Sequence, residues 1–192
     1  MRKKTQWYLL LGVTLSVCFI INLACVQAYL INTVVWWEPA QRNPNKYYVI
    51  SQWSEFGSAV TDWNNKNTHF GSVSKRSSPD DAPLTVVRYS SSTDGSCGWW
   101  LCYGQTGALA FAEIKLNDWY LTHGDASLGL PLDTSNKRKS VCAHELGHNF
   151  MLHHVGSPTV AVMRTTGSGR LVAQIWTPQT DDVNGVNANT HW

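Results

Sequence analysis

The chain has 192 residues, of which 43% are hydrophobic and 15% charged, and its formal net charge at pH 7 is +2. Residues 1–28 contain three basic side chains and no acidic one, so the rest carries 12 basic and 13 acidic residues, a formal net charge of −1. This composition excludes a disordered chain and gives no basis for binding to nucleic acid or to an anionic membrane surface.

The first 28 residues have the pattern of an export signal. Basic residues at positions 2–4 precede an almost wholly apolar stretch at residues 7–24, and small residues lead to Ala28. We therefore predict cleavage near Ala28, a secreted protein without stable membrane association, and a single domain over residues 29–192. An uncleaved membrane anchor and a lipid-modified Cys25 are the alternatives for this segment.

The first elements after the signal are a short strand and a helix. Residues 33–37 are a predicted strand, and residues 47–50 extend it or lead into the next element. Residues 51–65 have helical periodicity, with Ser51 or Ser54 as the candidate N-cap. Four aromatic or branched residues recur along one face and are predicted to be core: Trp53, Phe56, Val60 and Trp63.

Two further strands and a polar loop follow. Residues 72–83 form the loop, and its Asp80-Asp81 pair raises the question of calcium. Two carboxylates without further oxygen ligands do not support a Ca²⁺ site, so a solvated turn is the better interpretation. Residues 84–89 and 107–116 are predicted strands.

Three cysteines lie beyond the signal. In an exported protein, Cys97 and Cys102 are predicted to close a small disulfide loop. Trp99 and Trp100 lie in that loop, where they either contact substrate or pack beneath it. Cys142 lies two positions before a histidine of the next helix, and because such side chains point to different faces we predict a buried apolar role.

The most specific pattern of the chain lies on a predicted helix that is capped by Thr134 or Ser135. His144 and His148 are four residues apart, so their imidazoles project from one helix face at the spacing that two ligands of a tetrahedral zinc require. Glu145 can reach water on the metal without taking a ligand position. This H-E-x-x-H arrangement is typical of zinc peptidases, in which the glutamate is the general base.

A third histidine extends the pattern, because His154 follows His148 by six residues. The stretch resembles the metzincin zinc endopeptidases, whose pattern is H-E-x-x-H-x-x-G-x-x-H followed by a methionine turn. The resemblance implies that His144, His148 and His154 bind one catalytic Zn²⁺ and that Met163 forms the turn. His153 is the alternative third ligand.

Three other positions are compared with this family. Met151 stands where the family has glycine, and a left-handed conformation there would cost on the order of 1–2 kcal/mol. Thr165 replaces the tyrosine ligand of the related astacins, so no fifth ligand is expected. The triplet at residues 123–125, similar to a second zinc site of the matrixins, lies on the wrong side of the strand at residues 107–116 and is interpreted as a surface loop.

The resemblance extends to the end of the chain. Residues 177–186 are a predicted helix with the Asp-Asp-x-x-Gly pattern that closes matrixin catalytic domains. The implied fold is α+β, with a twisted mixed sheet and two long helices followed by a C-terminal subdomain that holds the Met-turn and final helix. The family's edge strand, which pairs with extended substrate, is assigned to four residues: Gly107, Ala108, Leu109 and Ala110.

The function implied is that of a secreted, monomeric zinc metalloendopeptidase that acts on protein or peptide substrates with Glu145 as general base. Two alternatives come from other classes. One is a binding protein on a catalytically inert metzincin scaffold. The other is a tryptophan-rich carbohydrate-binding domain in which the metal only stabilises the fold.

Overall fold

The computed structural model of the chain describes residues 36–37, 46–93, 95–105, 108–123 and 132–188. The predicted export signal, Gly107 and residues 124–125 lie outside these ranges. None of the helices formed by the described residues is long and apolar enough to cross a bilayer.

The described residues form six strands and five helices. The strands are β1 (Trp36–Trp37), β2 (Lys46–Val49), β3 (Ser74–Arg76), β4 (Leu84–Tyr89), β5 (Gly98–Gln105) and β6 (Ala108–Asn117). The helices are α1 (Ser54–Asn64), α2 (Trp119–His123), α3 (Ser135–Asn149), α4 (Gly167–Val172) and α5 (Thr180–Ala188). A 3-10 turn at Pro79–Asp81 lies in the predicted polar loop.

All six strands belong to one mixed sheet, which confirms the predicted α+β fold. The strand order is β3-β2-β4-β6-β5, and β1 lies beside the start of β6. Every pairing is parallel except that of β5 with β6, which is antiparallel. β5 is therefore an edge strand that runs against the direction of the rest of the sheet.

The expectation that Ala108–Ala110 form the edge strand is wrong. Ala108 and Leu109 pair with β1 on one side and with Gln105 and Gly104 of β5 on the other. Because both sides of β6 are hydrogen-bonded at these residues, no peptide can add to the sheet there. The edge is formed instead by β5, ten residues or fewer before this position.

Helices α1 and α3 cover one face of the sheet and contain much of the core. The predicted stripe of α1 is confirmed, since Trp53, Phe56, Val60 and Trp63 are all buried. The indole Nε1 of Trp63 donates a hydrogen bond of 3.0 Å to the carbonyl of Ala143 in α3. This bond ties the helix α1 directly to the residue before His144.

The two helices begin in different ways. Thr134 caps α3 as predicted, and its side chain accepts a hydrogen bond from the backbone of Lys137. At α1 the prediction is wrong, because the N-cap is Trp53 and no side chain caps the helix. Ser51 instead accepts a hydrogen bond from the backbone N–H of Arg88, which joins this segment to β4.

Cys97 and Cys102 are not joined by a disulfide, which corrects the predicted loop. The segment between them is part of the extended strand β5. At about 3.3 Å per residue, five residues of strand separate two Cα atoms by roughly 17 Å, whereas a disulfide requires less than about 7 Å. The buried position of Cys142 agrees with its predicted apolar role.

Candidate metal centre

The three histidines of the motif come together at the end of α3. His144 and His148 lie on this helix, which ends at Asn149, and the chain then reverses so that His154 faces them. His154 Nε2 lies 3.0 Å from His144 Nε2 and 3.1 Å from His148 Nε2. Among the described side chains this is the group of acidic, cysteine and histidine residues that could hold a metal ion.

Backbone carbonyls orient two of the imidazoles. His144 Nδ1 lies 2.8 Å from the carbonyl oxygen of Val162, and His148 Nδ1 lies 2.8 Å from that of Leu152. A carbonyl only accepts, so each Nδ1 carries the proton and donates it, and each Nε2 has its lone pair directed toward the other histidines. This tautomer is the one in which an imidazole binds a metal through Nε2.

Burial also keeps these side chains neutral. It lowers the pKa of His148 to about 4 and that of His144 well below its ordinary value. The pKa of the more exposed His154 is lowered as well, first by burial and then by the charge of Arg170. All three imidazoles are therefore unprotonated at pH 7, so a metal ion would not have to displace protons from them.

Met151 makes the turn that brings His154 to the site. Its φ is +60°, the left-handed conformation that the family's glycine would adopt without cost. The side chain is 2% exposed, and burying a methionine contributes about 1.5–3 kcal/mol. This burial outweighs strain on the order of 1–2 kcal/mol, which explains why a residue other than glycine is tolerated here.

We predict that Met151→Gly lowers the free energy of unfolding by about 1–3 kcal/mol, because the lost packing exceeds the relieved strain. Gln174 is the matched control, since its φ is +54° but its side chain is exposed. Gln174→Gly should raise stability by about 1 kcal/mol. Urea unfolding of the two variants measures both effects, and a stabilised Met151→Gly protein would contradict this explanation.

Met163 packs beneath the metal-binding helix, as predicted for the methionine turn. A Cβ atom built on Gly147 would overlap the sulfur of Met163, so the helix can approach this side chain only because residue 147 is glycine. Met163 is 1% exposed. The turn therefore supports the helix between its two histidines.

A buried carboxylate holds the segment of Met163 in place. Asp182 of α5 accepts hydrogen bonds from the backbone N–H groups of Val162, Met163 and Gln179, at 2.8, 3.1 and 2.7 Å. Burial raises the pKa of Asp182 to about 6 against the lowering effect of these donors, so the group is ionised at pH 7. Val162 in turn orients His144, so Asp182 supports the site from a distance.

We predict that Asp182→Asn lowers the free energy of unfolding by about 1–3 kcal/mol, because one amide oxygen cannot replace both carboxylate oxygens and a buried N–H loses its acceptor. Asp181→Asn removes the same charge from the same helix turn without touching these N–H groups. Thermal unfolding of the pair isolates the bonds, and equal effects of the two substitutions would contradict the anchoring role.

Glu145 lies between α3 and the start of β5. A Cβ atom on Gly98 would come within 2.9 Å of both Cγ and Oε1 of Glu145, so the strand needs glycine there to leave room for the carboxyl group. Burial raises the pKa of Glu145 to about 8, and the positive charge of Arg170 opposes that rise. The sequence analysis missed this role of Gly98, although a glycine inside a strand often marks such a close approach.

Arg170 is a second residue that the sequence did not single out. It is 6% exposed, and its Nη1 donates to the carbonyl oxygen of Arg164 at 2.7 Å. The same nitrogen lies 3.1 Å from His144 Nδ1. No local pattern indicates this position, because the contact joins residues 26 apart in the chain.

The remaining candidates lie away from the three nitrogen atoms. His153 is exposed and is absent from the group that could hold a metal, so His154 rather than His153 completes it. Thr165 donates a hydrogen bond to the carbonyl of Val155. Trp99 is 42% exposed on the outer face of the sheet, whereas the ring of Trp100 lies 6.3 Å from that of His148.

A scan against models of known protein families finds no match to this chain, and no curated protein matches it.

Proposed function

We propose that the protein is a secreted zinc-dependent endopeptidase of the metzincin type. The observation that carries this proposal is the convergence of three neutral imidazoles with the carboxyl group of Glu145 next to the first of them. Local geometry explains why each part is needed, from the left-handed turn at Met151 to the support of Met163 beneath the helix.

The donor set fits zinc. Three imidazole nitrogens are the protein ligands of many catalytic zinc sites, and bonds of roughly 2.0–2.1 Å place two tetrahedral ligands about 3.3 Å apart. The separations of 3.0 and 3.1 Å between the Nε2 atoms require movements of only a few tenths of an ångström to reach that value. When bound, zinc supplies a Lewis acid that polarises a carbonyl and makes water more acidic.

Glu145 is the proposed general base. Its carboxylate accepts a proton from the attacking water and later gives it to the amine of the departing peptide. A carboxyl group with a raised pKa is the stronger base, and the Arg170 charge prevents the pKa from rising further. No serine or cysteine nucleophile takes part in this reaction, so no acyl-enzyme forms.

β5 is the proposed platform for the substrate. Its inner side pairs with β6, and its outer side faces the cleft at Gly98, next to Glu145. An extended peptide that adds to this side would be aligned by backbone hydrogen bonds. A cavity of about 430 Å³, lined by Trp100, His148 and His154 among others, lies along the same side.

The test is to incubate the zinc-loaded, secreted chain with casein and identify the products by mass spectrometry. The proposal predicts cuts inside the casein chain that stop when a chelator is added and resume with zinc. Intact casein, or cuts that persist at full rate in the chelator, would contradict it.

A further inference from the structure

A second cavity, of about 220 Å³, lies on the other side of Glu145. It is enclosed by α3, by the chain that enters β5 and by the segment that runs into α4. Its apolar lining comes from Leu132, Val141 and Leu171, and its hydroxyl groups come from Ser96, Thr165 and Thr166. Its volume equals that of several water molecules, which suits a short side chain.

Two charged residues line this cavity among the described side chains, Glu145 and Arg170. Arg170 is buried, and a carbonyl oxygen and an imidazole surround its Nη1. A guanidinium has five N–H donors on a planar fork, so one bond to the Arg164 carbonyl leaves donors that can meet a carboxylate. Hydrogen bonds of this charged kind are about twice as strong as neutral ones.

The direction of β5 decides which substrate residue would enter the cavity. A peptide that pairs antiparallel to β5, the slightly more stable arrangement, runs from the Gln105 end toward the Gly98 end. It passes the cavity of Trp100 and His148 first and reaches the cavity of Arg170 after crossing Glu145. The Arg170 cavity therefore faces the residue that follows the cut bond.

We propose that this cavity selects an acidic side chain, Asp or Glu, immediately after the cut bond, and that Arg170 is the specificity-determining residue. The inference rests on the proposed peptidase function. The apolar residues contact the methylene groups of the acidic side chain, and Arg170 binds its carboxylate.

The experiment measures binding rather than turnover. Three peptides, Glu-Ala-Ala-amide, Gln-Ala-Ala-amide and Leu-Ala-Ala-amide, represent the product side and contain no bond to cut at that position. Calorimetry on the zinc-loaded full-length protein should show the glutamate peptide binding about ten- to hundred-fold more tightly than the glutamine peptide, which has the same shape without the charge.

Variants locate the source of the preference. Arg170→Gln should abolish it and Arg170→Lys should retain part of it, whereas Arg164→Gln, which removes a nearby charge outside the cavity, should leave it intact. Thermal unfolding shows whether each variant is folded, and the comparison of peptides on the unaltered chain decides the matter even if Arg170→Gln unfolds.

Equal affinity for the glutamate and glutamine peptides, tighter binding of the leucine peptide, or no binding of any of them would overturn the inference. So would a preference that persists in Arg170→Gln. Casein hydrolysis separates the two proposals: cutting without an acidic preference refutes the specificity alone, and an acidic preference without cutting refutes the peptidase alone.

Discussion

Replacing Glu145 by glutamine is expected to lower the rate of casein hydrolysis by about 10²–10⁴-fold, the contribution of a positioned general base. The amide has nearly the same shape as the carboxyl group, so it fits the space that Gly98 leaves. It cannot accept a proton from water. The three imidazoles are untouched, so the zinc content of the variant should equal that of the unaltered protein.

Glu113→Gln is the matched control, because Glu113 lies on β6 and pairs with Lys115, away from the histidines. It should retain full activity. If Glu145→Gln keeps more than a tenth of the activity, the assigned base is wrong. If it binds zinc but still holds a peptide or sugar without any cutting by the unaltered protein, one of the two binding-protein alternatives becomes the better explanation.

The pH dependence gives a second view of Glu145. The base acts only when it is ionised, so activity should rise with pH as this carboxyl group loses its proton. Burial raises its pKa to about 8 in the metal-free chain, and a cation bound nearby lowers that value. We therefore expect the acid limb of the activity profile below pH 8, measured as kcat/KM for one peptide.

Replacing His154 by alanine is expected to weaken zinc binding by more than about 100-fold, since even loss of a group behind a ligand costs 10–100-fold. His153→Ala is a close control, because the two histidines are neighbours and both are exposed. Only His154 contributes a nitrogen to the group that could hold the metal. Competition with a zinc-binding dye measures both affinities.

The same pair can be followed through stability. A metal that binds the folded chain raises its melting temperature, by an amount set by the free concentration and the dissociation constant. Zinc should raise the melting temperature of His153→Ala as much as that of the unaltered chain, and that of His154→Ala much less. A large loss of binding in His153→Ala would instead make that residue the third ligand.

The parts of the structure that follow from local sequence were predicted correctly. The stripe of α1 is a helical period, and the histidines of α3 come together because residues four apart share a helix face. The turn at Met151 was also foreseeable, because the spacing of His154 requires the helix to end there. These features depend on neighbours in the chain.

The parts that depend on distant contacts could not be read in this way. The edge position of β5 is set by strand order, which no local pattern contains. Asp182 and Arg170 act on residues about 20 and 26 positions earlier. The disulfide was a different kind of error, because Trp99 and Trp100 are residues that favour strands, and this preference should have counted against a tight loop.

The most direct test is a zinc titration of the metal-free, full-length chain in which casein hydrolysis is followed at each addition. The account predicts that activity rises in proportion to added zinc and stops rising at one equivalent per chain. A chain that takes up no zinc, or that takes up one equivalent and still does not cut, would contradict the proposed peptidase.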